Sequence, residues 1–318
     1  MTLWRRLRER GVLGINARNV LYTLGSNQRR FYPRVDDKLA TKRLCELAGI
    51  PIPKLYAIAR HHVELRGLYE RLASHDSFCL KPARGAMGNG IVVIVGRRGD
   101  RLLRSGGREM SREEFLYHAA GIISGLHSLA GHVDAAIVEE RLEAHPALAR
   151  VSTEGVPDVR VIVYRGMPVM AMTRLPTHAS GGRANLHQGA LGVGIDVASG
   201  TTTHAVLRGR PVRVNPDTGV DLLGRAIPAW GRVLEIAVRA TNETGLNYVG
   251  ADVVVDARVG PVILELNARP GLVIQLANRA GLRTRLERVD ALAEAARNLP
   301  VHERVALAGE LFGARDAT

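Results

Sequence analysis

The sequence predicts an α+β fold built from antiparallel strand pairs and interspersed helices. Three pairs of short runs rich in Val and Ile are joined by turn residues and predict β-hairpins at 78–95, 158–174 and 248–267. Helical spacing of apolar residues, or helix start and stop signals, predict helices at 36–49, about 62–74, 111–130, about 228–244 and about 283–298. Together they predict antiparallel sheets accompanied by helices.

The length and composition are those of a globular protein. The 318 residues, 46% of them apolar, suffice for one large domain or for two to three closely packed lobes. No apolar run reaches the roughly 20 residues that span a bilayer, and the basic start is not followed by a signal-peptide core. The two cysteines, Cys45 and Cys79, argue against a disulfide framework and predict a reducing, cytoplasmic location.

The chain is strongly basic, with a net charge of +13, which suggests a nucleic-acid partner. However, the cationic residues are scattered, aromatic residues make up 4%, and no RNA- or DNA-binding motif is present, so we expect no specific nucleic-acid partner. Our first interpretation of the charge is a background property without a specific role. The second is that it attracts an acidic substrate, an acidic partner or an anionic membrane surface. Only four of the 44 cationic residues are lysines, and Lys38 and Lys81 fall in stretches that carry other signals.

Residues 1–35 are a basic, weakly amphipathic lead to which the sequence assigns no chemistry. The helix predicted at 36–49 begins with acidic residues and ends at Gly49, before Ile-Pro-Ile-Pro. Lys38 lies in its first turn, where it is either a solvated lysine or a functional cation.

A strand, a glycine-rich loop and a second strand occupy residues 78–95. Lys81 lies at the end of the first strand, and the small residues of the loop at 83–90 permit the backbone to approach a phosphate closely. The loop is neither a Walker loop nor the dinucleotide-binding fingerprint. Because glycine-rich hairpins are also common structural features, the loop alone leaves both a phosphate flap and a structural turn open.

The next predicted elements are a helix, a strand, a hairpin and a loop. The helix at 111–130 begins with a capping box, and a planar base could lie against the apolar strand at 135–142 and bond to the backbone at its end. The hairpin at 158–174 is expected to expose three charged residues at its tips, namely Asp158, Arg160 and Arg174. The polar loop at 177–190 is long enough to be either functional or disordered.

Three oxygen-bearing side chains are expected to converge at the last hairpin. Asp252 lies in an apolar, β-branched strand, and Glu265 and Asn267 lie two residues apart on the returning strand, so both face the same side. Carboxylate and amide oxygens suit Mg²⁺, which takes its remaining ligands from water and phosphates. The alternative is that these are ordinary polar residues where strands fray into a loop.

These motifs, in this order, resemble those of an ATP-grasp ligase. They are a lysine at the start of a helix ending Ala-Gly-Ile-Pro-Ile-Pro, a lysine before a glycine-rich flap, Val-Glu-Glu-Arg-Leu, Asp-Val-Arg, Arg-Ala-Asn-Leu-His-Gln-Gly, and Asp followed by Glu-Leu-Asn-Ala-Arg-Pro-Gly. The similarity is greatest to the alpha-L-glutamate ligases that extend the C-terminus of a ribosomal protein. It implies an ATP-grasp fold, in which two α/β lobes with antiparallel sheets clamp ATP.

The resemblance also implies a domain organisation. The basic N-terminal lead at 1–35 would be a short helical segment, followed by the ATP-grasp domain at 36–280 and a C-terminal helical segment at 281–318. Within the domain, a glycine-rich flap lobe would occupy about 75–135 and a metal-binding lobe about 136–280. The lead is shorter than the N-terminal lobe of many ATP-grasp enzymes.

The resemblance further implies a role for each matching residue. ATP would be bound by the two lysines, the flap, the hinge strand and three further polar residues, namely Lys38, Lys81, Gly85, Gly88, Glu139, Glu140, Arg141, Leu142, Asp158, Arg183 and Asn185. Asp252, Glu265 and Asn267 would hold two Mg²⁺ or Mn²⁺ ions. Arg160 and Arg269 are the catalytic candidates, because a guanidinium fork suits both a carboxylate and an acyl phosphate.

The implied activity is the ADP-forming ligation of a carboxylate to an amine through an acyl phosphate, for example the addition of glutamate or another amino acid to a peptide or protein. The expected partners are ATP, a carboxylate substrate and an amine substrate, with peripheral membrane contact left open. Two alternatives remain, an ATP-binding regulatory protein without ligase turnover and a basic protein that binds polyanions.

Overall fold

A computed structural model describes residues 3–85, 88–128 and 131–313 of the chain. By their internal contacts the residues divide into two compact units. Unit 1 comprises Met1–Asp36, Ala40–Ile52 and Glu143–Thr318, and unit 2 comprises Asp37–Leu39 and Pro53–Leu142. Along the chain, therefore, most of unit 2 is inserted between two parts of unit 1.

The strands and helices are numbered in chain order. The strands are β1 (Leu55–Ala59), β2 (Phe78–Pro82), β3 (Val92–Arg98), β4 (Arg101–Arg104), β5 (Glu109–Met110), β6 (Ala136–Glu140), β7 (Asp158–Tyr164), β8 (Met167–Leu175), β9 (Leu191–Ile195), β10 (Thr202–Leu207), β11 (Arg210–Val212), β12 (Tyr248–Asp256) and β13 (Gly260–Asn267). The α-helices are α1 (Leu3–Glu9), α2 (Ile15–Ala17), α3 (Pro33–Asp36), α4 (Lys38–Leu47), α5 (Leu68–Arg71), α6 (Arg112–Ile123), α7 (Pro146–Ala149), α8 (Trp230–Thr244), α9 (Ile274–Asn278), α10 (Leu282–Asp290), α11 (Glu294–Arg297) and α12 (Val301–Phe312). A π-helix spans Arg18–Leu24, and 3₁₀ turns span Arg29–Phe31, His62–Leu65, His178–Ser180 and Leu186–Gln188. Among the described residues, no helix combines the length and the hydropathy that a membrane crossing requires.

Unit 2 contains a six-stranded antiparallel sheet with the order β1-β6-β2-β3-β4-β5. α6 packs against β2 and β6, and Phe78 and Phe115 meet edge to face with their ring centroids 5.8 Å apart. The predicted capping box of α6 is confirmed, since Ser111 Oγ accepts from the Glu114 N–H and the Glu114 carboxylate accepts from the Ser111 N–H. α6 is shorter than predicted because the chain turns at Gly125, whose φ is 86°.

Unit 1 contains a seven-stranded antiparallel sheet with the order β11-β10-β9-β8-β7-β12-β13. α8 packs against β12 and β13, α9 against β9, and α12 against β8. Every residue of β7 and of β12 is buried, which accounts for their nearly continuous apolar and β-branched sequences. The predicted hairpin of β7 and β8 is confirmed, and its two-residue turn places Arg165 and Gly166 at φ values of 47° and 75°.

The N-terminal lead belongs to unit 1. Asn27 Nδ2 donates a hydrogen bond of 2.8 Å to the Tyr248 carbonyl in β12. Tyr22, Tyr164 and Tyr248 form an aromatic cluster whose ring centroids lie 5.4, 6.0 and 6.3 Å apart. The lead is thus joined to two neighbouring strands of the sheet, β7 and β12, by both polar and aromatic contacts.

Some elements differ from the sequence-based expectation. The region 62–74 is not one helix, because Gly67, at a φ of 74°, separates the 3₁₀ turn from α5. The region 283–298 contains two helices, α10 and α11, and a further helix, α12, lies within the C-terminal segment at 281–318 that was expected to be helical. The strands that the sequence missed are β1, β4, β5, β9, β10 and β11.

Candidate active site

Unit 1 holds a cluster of buried charged residues on four adjacent strands. The register pairs Asp158 of β7 with Arg174 of β8, Arg160 of β7 with Asp252 of β12, and Asp252 with Glu265 of β13. Alternate residues of a strand share a face, so Asp158 and Arg160 lie on the same side of the sheet. The antiparallel register therefore brings the five side chains together on one face.

Two arginines neutralise the buried aspartates. Arg160 binds Asp252 through two hydrogen bonds, from Nε to Oδ1 at 2.7 Å and from Nη2 to Oδ2 at 2.6 Å. Arg174 Nε donates to Asp158 Oδ1 at 2.6 Å, and Arg174 Nη2 donates to Oδ2 of both aspartates. Such bidentate pairs between a guanidinium and a carboxylate are strong and geometrically specific. Arg174 thus joins Asp158 to Asp252.

Burial and neighbouring charges shift the pKa values of these groups in opposite directions. Burial alone would raise the pKa of Asp252, but the charges of Arg160 and Arg174 outweigh it and hold the pKa below the usual range of a carboxyl. For Asp158, burial raises the pKa and the charge of Arg174 only partly offsets this effect. Burial alone would lower the pKa of Arg174, but Asp158 and Asp252 hold it above the ordinary value of a guanidinium. The Asp252 carboxylate is therefore ionised at neutral pH.

The predicted metal ligands lie on two paired strands. Asp252 is fully buried, Glu265 lies beside it on β13 and is half-buried, and Asn267 lies opposite Gly250. A Cβ on Gly250 would lie 2.8 Å from Pro270 Cβ, so only glycine permits this close approach. Asn267 Oδ1 accepts a hydrogen bond of 2.8 Å from the Arg269 N–H.

The oxygen chemistry of this set fits Mg²⁺, since it offers two carboxylates and one amide oxygen. A carboxylate has about four acceptor positions, and on Asp252 the N–H groups of Arg160 and Arg174 fill three of them. A bound cation would therefore compete with these guanidinium groups for the Asp252 oxygens. Within residues 3–85, 88–128 and 131–313, no group of three or more His, Cys, Asp or Glu side chains is placed to hold a metal ion.

Unit 2 contains a second buried ion pair. Lys81 of β2 is 3% exposed and Glu139 of β6 is 2% exposed, and the Lys81 ammonium forms a salt bridge with Glu139 Oε1. The two strands are neighbours in the sheet, and Lys81 lies diagonally across from Glu139 because their register pairs Glu139 with Cys79. The structure thus brings together a lysine and a glutamate that the sequence places in separate motifs, the flap and the hinge.

Lys38 is the first residue of α4, and its side chain contacts the glycine-rich loop. Its side chain is half-buried, and Nζ donates a hydrogen bond of 2.7 Å to the Gly85 carbonyl. A Cβ on Gly85 would lie 2.2 Å from Pro82 Cγ, and Gly88 has a φ of 75°, so both positions favour glycine. The residues 86 and 87 of the predicted flap lie outside the described residues.

The predicted hinge, from Glu139 to Leu142, begins in the last two residues of β6. The Glu140 N–H donates a hydrogen bond of 2.8 Å to the Lys54 carbonyl, so that group is not available to a base. Arg141 is half-buried and Leu142 is buried. Any backbone contact to a base must therefore come from other groups of this segment.

The long polar loop at 177–190 is ordered by its own hydrogen bonds. Thr177 Oγ1 donates to the Gly189 carbonyl at 2.8 Å and closes the loop. Asn185 Oδ1 accepts from the His187 N–H at 3.0 Å and caps the second 3₁₀ turn, whereas Arg183 is exposed. Beyond the capped turn, Leu186 contributes to a surface cavity of about 280 Å³ that is also lined by His187, Val206, Arg208, Val273 and Leu276.

The two catalytic candidates have different environments. Arg160 is 7% exposed and lies within the charge cluster, whereas Arg269 is exposed and its guanidinium lies 4.9 Å from the centroid of the Tyr32 ring. The prediction that the hairpin tips expose Asp158, Arg160 and Arg174 is wrong. Asp158 and Arg160 are buried between neighbouring strands, and the Arg174 side chain is only 12% exposed. No role was predicted for Arg174. Its opposite charge to Asp158, at the matching position of the hairpin, was a signal for the pairing of these two residues.

Comparison with known proteins gives one family match. A family model described as sugar-transfer associated ATP-grasp matches residues 17–291. No curated protein matches the chain.

Several solved structures are similar at low identity. The ATP-grasp ligase PsnB complexed with a minimal precursor is 16% identical, with a TM-score of 0.43 over 84% of this chain and 63% of that one. A RimK domain ATP-grasp protein from Sphaerobacter thermophilus DSM 20745 is 14% identical, with a TM-score of 0.42 over 90% and 71% of the two chains. The D-alanine-D-alanine ligase from Coxiella burnetii is 12% identical, with a TM-score of 0.43 over 90% and 60%. The chain thus spans less than two thirds of the length of the PsnB chain.

The family match bears out the expectation of an α+β ATP-grasp fold, which the motif order had implied. It extends across both units and includes the charge cluster, the buried ion pair and the ordered loop. The chain therefore belongs to the sugar-transfer associated ATP-grasp family.

Proposed function

We propose that the chain is an ATP-dependent, ADP-forming ligase that joins a carboxylate to an amine. The observation that carries this proposal is the charge cluster of unit 1, in a chain of the ATP-grasp family. Asp252 and Glu265 supply carboxylates, and Arg160 and Arg174 supply cations, all on one face of a sheet. Cations and metal-binding oxygens together are what a transferring phosphoryl group requires.

The proposed reaction has two steps. A carboxylate is a poor electrophile, so its oxygen first attacks the γ-phosphorus of ATP, which gives an acyl phosphate and ADP. The amine nitrogen then attacks the acyl carbon, the C–O bond to phosphate breaks, and the nitrogen loses a proton. The products are an amide, ADP and phosphate, and no side-chain nucleophile takes part.

Mg²⁺, held by Asp252, Glu265 and Asn267, would supply charge compensation for the phosphates when bound. Arg160 would hold the carboxylate or the acyl phosphate. A guanidinium has five N–H donors, and Asp252 uses two of those of Arg160, so a second anion can bind the same guanidinium. Arg269, which is exposed beside the metal motif, is the second proposed contact to a substrate anion.

For the nucleotide, we propose phosphate contacts from Lys38 and Lys81, closure of the loop that contains Gly85 and Gly88, and contacts to the base from the segment between Glu139 and Leu142. Arg183 and Asn185 are proposed to lie near the phosphates. We propose that Asp158 acts through Arg174, because that guanidinium holds both of its carboxylate oxygens.

The identity of the carboxylate is a finer proposal. Amino acids, short peptides and protein termini are candidates for both substrates. The description of the family as sugar-transfer associated makes a sugar-linked carboxylate a further candidate that deserves to be tested.

The first test is release of ADP and phosphate from ATP with Mg²⁺ in the presence of a panel of amino acids, acidic peptides and sugar acids, with mass spectrometry of the products. We expect a product whose mass equals that of two substrates less one water. ATP that binds but is never consumed with any acceptor would favour the regulatory alternative. Protein that binds no ATP in Mg²⁺ would contradict both readings.

The Lys81–Glu139 pair permits a sharper test of nucleotide binding. Lys81→Met alone leaves the buried Glu139 carboxylate without its cation, so loss of ATP binding could reflect loss of the fold. The double substitution Lys81→Met with Glu139→Gln removes both charges and should restore stability. We expect this double variant to fold but to bind ATP at least about tenfold more weakly. Unchanged ATP affinity in a folded double variant would show that Lys81 has no contact with the phosphates.

A further inference from the structure

The N-terminal lead has an apolar face that points to solvent. In its π-helix, Val20, Leu21 and Leu24 are 62%, 51% and 60% exposed. Arg18 and Thr23 of the same segment are buried. A surface helix normally has the reverse arrangement, with its polar residues outward. Two further aliphatic residues of the lead, Leu3 and Ile15, are 66% and 61% exposed.

The lead is held in place by specific contacts on its inner side. The Leu13 N–H donates to Gln275 Oε1 at 2.8 Å, and Arg18 Nη1 donates to the Pro270 carbonyl at 3.0 Å. Both bonds are buried and connect residues more than 250 positions apart. Because its polar groups are used to anchor it, the segment presents its aliphatic side chains outward as a fixed surface.

Cationic side chains accompany this surface. The first 34 residues contain eight arginines and one glutamate. Six of the arginines are exposed, namely Arg5, Arg6, Arg8, Arg10, Arg29 and Arg30. Exposed aliphatic residues flanked by arginines match the chemistry of an anionic bilayer, in which acyl chains receive the aliphatic groups and headgroups attract the cations.

We propose that the exposed aliphatic residues of the lead, namely Leu3, Ile15, Val20, Leu21 and Leu24, together with its exposed arginines, bind peripherally to the surface of an anionic membrane. Leu21 and Leu24 enter the headgroup region, and the arginines remain at the level of the lipid phosphates. The proposal does not depend on the ligase activity, because none of these residues belongs to the charge cluster or to the Lys81–Glu139 pair.

The test is co-sedimentation of the full chain with vesicles of phosphatidylcholine alone and with vesicles of phosphatidylcholine and phosphatidylserine in equal amounts. Leu21→Gln with Leu24→Gln removes the aliphatic contact, and Arg8→Glu with Arg10→Glu removes part of the charge. Leu47→Gln with Val259→Gln is the matched control, since both residues are exposed aliphatics outside the lead, at 79% and 61%. Circular dichroism and thermal unfolding verify that each variant is folded.

We expect the wild type and the control variant to bind the phosphatidylserine vesicles at least about tenfold more tightly than the neutral ones, with lower affinity at high salt. Each of the two lead variants should lose about tenfold in affinity for these vesicles. Absence of binding to phosphatidylserine vesicles, or equal binding by lead and control variants, would overturn the proposal. So would a lipid-free dimer that Leu21→Gln with Leu24→Gln dissociates, because the face would then be covered by a second copy of the chain.

Discussion

Arg174 is the residue on which the charge cluster depends most, because it binds Asp158 and Asp252 at once. Replacing it by Gln removes a cation that two buried carboxylates share. We expect Arg174→Gln to lower the free energy of unfolding by about 3–5 kcal/mol, the usual cost of leaving a buried charge without its partner. Urea unfolding measures the loss.

The matched control is Arg213→Gln. Arg213 also binds an aspartate, Asp221, but its side chain is 75% exposed. Exposed pairs contribute little, so the free energy of unfolding should be nearly unchanged. Equal losses for the two variants would show that the buried cluster is not a stabilising contact.

Cys45 of α4 predicts a loss of stability at alkaline pH. Its side chain is fully buried, and burial raises the pKa of its thiol from the ordinary value of 9.0 to about 11. Between these values the unfolded chain releases a proton that the folded chain retains, so stability falls as the pH rises. The expected contribution is about 1.4 kcal/mol per pH unit once the unfolded thiol is ionised.

The measurement compares the wild type with Cys45→Ala by urea unfolding at a series of pH values from 7 to 10. Below pH 10 the buried Tyr22 contributes little to the loss of stability, because its pKa is 10.0 in the unfolded chain and burial raises it to about 12 in the folded chain. We expect parallel curves below pH 9 and a shallower fall for Cys45→Ala above it. Identical slopes throughout would contradict the assignment of the alkaline loss to this thiol.

Among the residue pairs of the site, the sequence predicted one pair within a hairpin and missed the pairs between hairpins. Asp252 and Glu265 were expected to meet because they belong to one hairpin, but their direct pairing also requires the register shift between Asp252 and Val253, which the sequence did not predict. The pairing of Arg160 with Asp252 joins β7 to β12, which lie in different hairpins, and only the tertiary fold sets that register. The Lys81–Glu139 pair was missed for the same reason.

The packing of α9 against β9 depends on a glycine. A Cβ on Gly194 would lie 2.2 Å from the Ala277 carbonyl oxygen, a backbone atom that cannot move away cheaply. We expect Gly194→Ala to lower the free energy of unfolding by about 1–3 kcal/mol or more, as overpacked cores do. Thermal or urea unfolding checks this.

Gly96→Ala in β3 is the control, because a Cβ there would meet no atom within 4 Å. Alanine also restricts the unfolded chain, so this variant should be neutral or slightly stabilised. If Gly194→Ala were equally harmless, α9 would have to shift away from β9 without cost.

Long elements with clear periodicity were predictable, and short or glycine-rich ones were not. The capping box of α6 and the hairpin of β7 and β8 follow from local sequence alone. β9 escaped prediction because glycine occupies two of its five positions and carries no preference for a strand. β4 and β5 are short strands, and pairing with neighbours rather than propensity defines them.

For the whole molecule, the net charge of +13 predicts weak binding to any polyanion. Heparin binding should fall steeply with added salt, because such binding is driven by counterion release. ATP binding in Mg²⁺ should persist at salt concentrations that abolish heparin binding. Equilibrium binding of both ligands across a salt series makes the comparison.

Glu265→Gln separates the two kinds of binding. It should weaken Mg²⁺-dependent ATP binding, because it removes a proposed metal ligand, and it should leave heparin binding nearly unchanged. Mg²⁺-dependent ATP binding that is unchanged in this variant, with heparin binding also retained, would favour the polyanion-binding alternative over the ligase.

The superfamily was predictable because ATP-grasp motifs occur in a fixed order along the chain, and order is a property of sequence. The boundaries of the lead, the two lobes and the C-terminal segment stay predictions. Contacts decide which segments form one unit, and residues far apart in sequence make many of those contacts, as in the Tyr22, Tyr164 and Tyr248 cluster.

That aromatic cluster has a consequence for the order in which a newly made chain can fold. Asn27 and Tyr22 leave the ribosome well before the Tyr248 that they contact, which follows Asn27 by 221 residues. Unit 2 is complete once Leu142 has been translated, and its sheet has no strand from later residues. During synthesis the lead, with its leucines and arginines, therefore stays without its contacts to β12 while unit 2 folds. The lead is therefore synthesised before unit 2, but its contacts with β12 can form only after unit 2 is complete.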